Sequence, residues 1–424
     1  MSTGPIVWMA GTNWDAVAGT DKCLVRALAK TRPVMWVDPP VPVRRPLRSG
    51  IRTAGTAGHG AGSAPRLEQV GDSLLRLKVS APPGVTRPFI RRITAWWLER
   101  TIRAAVAHIA WEPAAVVSAM PLARFPRKTA GLKIVFLTDD WLEGSRLMGL
   151  SRAAVRRVLE SNLSQADGIA AVSEELLIRL GGLRPADATA GTATAALTSR
   201  GAGRRTAHAV IPNGCPEPPA GIPAAPREPA ACLVGQLNER LDLDVLEAVQ
   251  AAGIAMTVIG PRTDRSPAYG RRLDAFLAAE NVHWMGQLSA DELRGQLTRY
   301  GVGLTPYADS SFNRASFPLK TLEYLSAGLA VVSTDMPSAR WLNTGLISLH
   351  SDPEEFALAV RAALAERTDR ERERLRKQFA AGHTWAARAV DFQRLLDRAD
   401  HHRARHRTGP LAAITAGKPG EEQT

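Results

Sequence analysis

Two charged side chains three residues apart, Lys320 and Glu323, sit in the otherwise largely apolar stretch SFPLKTLEYLSAGLAVVSTD, residues 316–335. Pro318 suits a first helical turn, where its missing N–H has no role. Gly328 suits the position just past a helix end. The spacing predicts a helix over 318–327, with Leu319, Leu322 and Leu325 or Ser326 facing the core and the charged pair on a neighbouring face. A lysine in the first turn meets the positive end of the helix dipole. Two arrangements resolve that conflict. One is an ion pair between Lys320 and Glu323, worth about 0–1 kcal/mol when exposed. The other is a phosphate shared by Lys320 and the N–H groups of the first turn, with Glu323 accepting hydrogen bonds from a sugar diol. A phosphate contact beside a diol contact describes a nucleotide.

Asp139 and Asp140 follow the apolar run LKIVFLT. At a strand end, one of them can orient or deprotonate a hydroxyl, or can cap the next helix. Neighbouring carboxylates on a strand point to opposite faces, so no metal site is expected there. In RPFIRRITAWWLERTIRAAVAHIAW, the cations Arg91 and Arg92 stand near Trp96 and Trp97. Basic residues beside tryptophans suit an anionic membrane surface. The alternative is an ordinary helix with its tryptophans in the core. His283 is expected to pack, and His383 precedes Thr384, a helix-start residue.

The 424 residues exceed one hydrophobic core, so two domains are expected. The net charge of +13 points to an anionic partner, or reflects an Arg- and Ala-rich composition alone. No nucleic-acid recognition motif is present. Three scattered cysteines exclude a disulfide framework. No leader-like stretch and no apolar window of spanning length occur, so a cytoplasmic location is expected. After PIVWMA the chain reads GTNWDAVAGT, which lacks the glycine spacing of a dinucleotide-dependent oxidoreductase.

Short apolar runs alternate with helical patterns along the whole chain, giving an α/β protein built of two halves in tandem. The first half is expected over 1–215, with Gly/Ala/Ser/Thr-rich mobile loops at 49–65 and 185–206. The Pro-rich PEPPAGIPAAPREP opens a second half over 216–385, and a helix and basic tail fill 386–424. Ligands bind such sheets at the carboxyl ends of strands, and the space between two halves is the expected site.

The stretch 316–335 resembles the donor-site segment of GT-B glycosyltransferases, in particular bacterial group 1 members of teichuronic acid and other surface-polysaccharide biosynthesis. Collinear pieces support it: TDDW from Thr138, AVSEELLIRL from Ala171, IPNG from Ile211, GQLNERLDLDVL from Gly235, VHWMGQLSADEL from Val282 and HTWAARA from His383. The resemblance implies two Rossmann-like domains facing across a cleft. It implies transfer of a sugar from a nucleotide-sugar donor to a saccharide or lipid-linked acceptor, with retention, without metal or other cofactor, in the cytoplasm or on the inner membrane face. The helix start at Pro318 and Leu319 would then hold the diphosphate with Lys320, Gly235 and Arg240, and Glu323 the ribose. Asp139 or Asp140 would serve the acceptor, with Gly11, Asn13 and Asn213 on the acceptor side or in the cleft. Two positions depart from the family pattern. Ala315 stands where the first glutamate of E-x7-E contacts the transferred sugar, and Gln236 replaces an arginine, leaving Arg240 as the nearest cation. A noncatalytic nucleotide-sugar-binding subunit and a nucleotide-sugar epimerase are the alternatives.

Overall fold

The computed structural model describes residues 4–42, 66–83, 88–127, 129–182, 206–219 and 226–408. The loops expected at 49–65 and 185–206 (Thr206 apart), and the tail beyond 408, lie outside them. The chain divides into two units. The first takes Met1–Ala171, Leu177–Ile211 and Ala389–Thr424, and the second Val172–Leu176 and Pro212–Arg388. The main stretch of the second unit thus begins at Pro212, and of the described terminal residues 389–408 belong to the first unit. The terminal helix Trp385–Thr408 gives the first unit Phe392, fully buried 5.4 Å from the Trp8 ring and 6.1 Å from Phe136.

In the first unit the strands are β1 (Ile6–Met9), β2 (Val34–Val37), β3 (Val41–Pro42), β4 (Leu67–Gly71), β5 (Leu74–Leu77), β6 (Ser80–Ala81), β7 (Ala115–Ser118), β8 (Leu132–Leu137), β9 (Gly168–Ala171) and β10 (Ala207–Val210). Eight of them form one sheet in the order β10-β9-β8-β7-β1-β2-β5-β4, and β3 pairs with β6 apart from it. Every pair in the large sheet is parallel except the β4–β5 hairpin. Strands β1, β2 and β7 are buried along their whole length, as parallel strands covered on both faces must be. The order reverses beside β1, so the carboxyl ends of β1 and β7 form the switch point where ligands bind such sheets. Gly11 stands there, and a Cβ on it would lie 2.9 Å from the Ala119 carbonyl oxygen.

The second unit has β11 (Glu228–Val234), β12 (Met256–Ile259), β13 (Val282–Trp284), β14 (Tyr300–Thr305), β15 (Ala330–Ser333) and β16 (Ile347–Leu349). The order is β13-β12-β11-β14-β15-β16, all parallel. This is the doubly wound nucleotide-binding order, with its switch point between β11 and β14. Two glycines close that end of the sheet. Gly260 has φ +145°, and a Cβ there would lie 1.8 Å from the Gly235 carbonyl oxygen. Gly303 in β14 makes room for the Tyr324 ring, whose hydroxyl oxygen accepts the Val234 N–H at 2.8 Å.

Candidate active site

The loops leaving β11 and β14 carry the residues of interest in the second unit. The charged pair lies on a helix over Leu319–Ser326, with Pro318 just outside it as the N-cap residue. No side chain caps this helix, whereas Asp242, Ser289, Asp352 and Asp369 cap four others of the unit. Its first turn therefore presents N–H groups that no side chain has satisfied. The helix is buried more widely than leucine spacing predicts: Thr321, Leu322, Tyr324, Leu325 and Ser326 are all inside, and Leu319 only partly. Lys320 and Glu323 occupy the remaining face, each about one-fifth exposed, with Nζ 2.5 Å from Oε2. The ion pair is thus formed. It leaves Glu323 Oε1 without a hydrogen-bond partner among the described residues, and two ammonium donors beyond the one it uses. Ion pair and ligand contacts are compatible.

Arg240, on the loop after β11, is held differently. Its Nε donates to Asn313 Oδ1 at 3.0 Å, and its guanidinium carbon lies 5.4 Å from the Tyr307 ring centre and 4.9 Å from that of Phe312. Among the described residues no carboxylate pairs with it, while Arg262, Arg272, Arg299, Arg314 and Arg340 of the same unit each hold at least one. A partly buried, positioned guanidinium of this kind has the chemistry to take an anion. Gly235 shapes the start of the same loop, with φ +154°.

The turn between Ala315 and Leu319 is fixed at two carbonyls. Ser173 Oγ donates to the Ala315 oxygen and Asn213 Nδ2 to the Phe317 oxygen, both at 2.5 Å. Asn213, expected on the acceptor side or in the cleft, is buried in the second unit, where its side chain secures the turn before Leu319. Ala315 is fully buried, so no side chain from that position reaches outward.

In the first unit, strand β8 ends at Leu137 and both Asp139 and Asp140 lie beyond it. Asp140 is corrected from a catalytic candidate to an anchor. It is 5% exposed, its Oδ1 accepts the N–H groups of Leu142 and Glu143 at 3.1 Å each, and its Oδ2 pairs with Arg179 at 2.9 Å. Asp139 remains partly exposed. Beside it stands Asp21. The helix Thr20–Leu28 has Gly19 as N-cap, and Asp21 turns inward instead to accept the Gly11 N–H at 3.0 Å. Its Oδ1 has no hydrogen-bond partner among the described residues, and the nearby Trp8 indole N–H favours ionisation only weakly. Burial pushes the Asp21 carboxyl up to about 7, the Gly11 bond opposes the rise, and the charge of Asp139 adds to it. Asn13 closes the following turn through its carbonyl, which accepts from Ala16 N at 3.0 Å.

The basic and aromatic stretch forms a helix over Pro88–His108. The alternative of buried tryptophans fails: Phe89, Trp96 and Trp97 are 72%, 58% and 44% exposed, while Thr94, Leu98, Ile102 and Ala105 face the core. Arg92, Arg100 and Arg103 share the exposed side, with Arg100 stacked 5.9 Å from the Trp96 ring. Among the described residues no helix is long and apolar enough to cross a membrane.

Residues 229–366 match the family described as glycosyl transferases group 1, a segment that contains Arg240, Asn313, Lys320 and Glu323. The two Rossmann-like α/β units give the chain the GT-B fold of the similar solved structures, and the matched segment lies in the second unit. Among particular relatives, TuaH of Bacillus subtilis strain 168, assigned to teichuronic acid biosynthesis as a glycosyltransferase, is 26% identical over 157 residues. That match covers 36% of this chain and 39% of the relative's length. Sucrose-phosphate synthase from Thermosynechococcus elongatus has a similar structure, with a TM-score of 0.64 and 16% identity over 94% of this chain and 99% of that one. The UDP-forming α,α-trehalose-phosphate synthase of Burkholderia xenovorans in complex with glucose-6-phosphate gives 0.60 and 16%, over 92% and 99%. The E. coli trehalose-6-phosphate structure bound with UDP-2-fluoroglucose gives 0.61 and 14%, over 92% and 98%. At these identities the structural likeness establishes the fold.

Proposed function

We propose that this protein moves a sugar from a nucleoside-diphosphate donor to a saccharide or lipid-linked acceptor, with retention and without a metal. The observation that carries the reading is Arg240, a guanidinium held in place and paired with no described carboxylate, at the switch point of a doubly wound sheet. In the reaction an acceptor oxygen forms a bond to the anomeric carbon while the bond from that carbon to the donor phosphate breaks. The leaving diphosphate gains negative charge, which Arg240, Lys320 and the uncapped helix start stabilise as fixed donors. Positive charge from these groups is why the reading needs no metal. Glu323 accepts from the ribose hydroxyls, and Asp139 orients the acceptor hydroxyl. The solved relatives lend the substrate classes: one binds UDP-2-fluoroglucose and another glucose-6-phosphate. The test is incubation of the full chain with labelled nucleotide sugars, with and without membrane or saccharide acceptors. Acceptor-dependent label transfer supports the reading. A new sugar nucleotide formed without acceptor establishes an epimerase instead, and binding without turnover a noncatalytic subunit.

Glu323→Ala is expected to weaken nucleotide binding by about 1–3 kcal/mol, the cost of a lost charged hydrogen bond. Isothermal titration of the folded variant checks this, and wild-type affinity would remove Glu323 from the site.

A lipid-linked acceptor places the reaction at a membrane surface. The exposed Phe89, Trp96 and Trp97 beside Arg92, Arg100 and Arg103 have the composition of an interfacial helix. Each such cation near an anionic leaflet contributes about 1 kcal/mol. Sedimentation with vesicles is expected to need anionic lipid, to weaken with salt, and to fall when Arg91 and Arg92 both become Glu. Equal recovery with neutral and anionic vesicles would remove membrane docking from the account.

A further inference from the structure

Asn313 belongs to the short helix Ser311–Ala315 that follows β14, and it is 3% exposed. No charge pattern or motif singles it out. Its side chain nevertheless grips Arg240 at two places. Oδ1 accepts from the guanidinium Nε at 3.0 Å, and Nδ2 donates to the Arg240 carbonyl at 2.9 Å and to the Ala308 carbonyl at 2.8 Å. The Ala308 N–H in turn donates to the Arg240 carbonyl at 2.9 Å. One buried amide therefore fixes both the backbone and the head group of the arginine. With Nε engaged and rings of Tyr307 and Phe312 against the guanidinium, the donors left to a ligand are the N–H groups of the two terminal nitrogens. These form no hydrogen bond to a described residue. That is an end-on, paired presentation, matched to two oxygens of a phosphate. An arginine already held in one rotamer also loses less entropy when the anion arrives.

We propose that Asn313 is a positioning residue, which locks Arg240 so that its terminal N–H pair meets the donor diphosphate. The inference rests on the proposed function and goes beyond it. An asparagine suits the role better than an aspartate, because a carboxylate at the same place would neutralise the arginine and could not donate to the two carbonyls.

The full chain is titrated with UDP, GDP and dTDP and with the matching nucleosides. Wild-type protein is expected to bind one diphosphate. Asn313→Ala, or Asn313→Ser should the alanine variant not fold, is expected to lose about tenfold or more in diphosphate affinity and less than about twofold in nucleoside affinity. Asn313→Asp is expected to lose more, by pairing with Arg240, and to lose nothing further in an Arg240→Met background. Folded variants that bind the diphosphate as tightly as wild type would overturn the inference. So would equal losses for diphosphate and nucleoside, or an undiminished Asn313→Asp effect without Arg240. A wild type that binds none of the three diphosphates would overturn the proposed function itself, an outcome separable from all of these.

Discussion

Arg240→Met is expected to slow sugar transfer by about 10²–10³-fold, with the loss mainly in kcat. Donors fixed on a developing anion contribute about 3–4 kcal/mol in a site that excludes water. Arg240 meets the conditions for an effect of that size: it is held by Asn313 and two rings, and no described carboxylate neutralises it. Lys320 should matter less, because Glu323 already faces its ammonium at 2.5 Å. Arg240→Lys tests the geometry apart from the charge, since a lysine supplies a cation without the planar pair of N–H groups. The methionine also removes two ring contacts of about 0.5–1 kcal/mol each and leaves the Asn313 oxygen with one donor fewer. A modest fall in melting temperature therefore accompanies the kinetic loss. Steady-state kinetics of the folded variant within about twofold of wild type would exclude Arg240 from the chemistry.

Asp21→Asn is expected to stabilise the protein at pH 8 and to leave it unchanged near pH 4. The folded-state pKa of Asp21, about 7, lies above the value of about 3.9 for an unfolded chain. Between those values the native state binds the extra proton, so stability falls as pH rises. The contribution is fully present below the unfolded pKa and lost as pH passes through the folded one. About three pH units at 1.36 kcal/mol each give roughly 4 kcal/mol lost between pH 4 and 7. Asparagine keeps an acceptor for the Gly11 N–H and carries no charge, so the penalty disappears. Melting curves of wild type and variant at both pH values decide the matter. A difference that does not change with pH would show that Asp21 does not carry the buried proton.

The two predictions draw on residues of unequal legibility. The strands around both sites could be read because continuous apolar runs bounded by Gly and Pro have one outcome in a doubly wound sheet: PIVWMA became β1, AACLVGQL β11 and LAVVSTD β15. Lys320 and Glu323 could be read because helical spacing alone brings them together. Asp140 could not, since its guanidinium partner, Arg179, lies 39 residues away on the helix Glu174–Gly181 that follows β9. Asn313 and Arg240 are 73 residues apart, and only the adjacency of β11 and β14 joins their loops. Asp21 could not be read either, since the Gly11 N–H that its carboxylate accepts is brought to it by the end of β1 and not by any local pattern. Periodicity also marked the helix Pro88–His108 without deciding which side is covered. The burial of Thr94, Leu98 and Ile102 decided it, and the tryptophans were left outside. Nor could it tell that the terminal helix returns to the first unit, a matter settled by the packing of Phe392 on Trp8.

Binding of a nucleoside diphosphate by the second unit, through the loops after β11 and β14, is decided by calorimetric titration of the full chain with UDP, GDP and dTDP. One of the three is expected to bind with a stoichiometry of one and its nucleoside more weakly, and saturating ligand is expected to raise the melting temperature by mass action. Absence of binding heat and of any melting shift with all three diphosphates would contradict it.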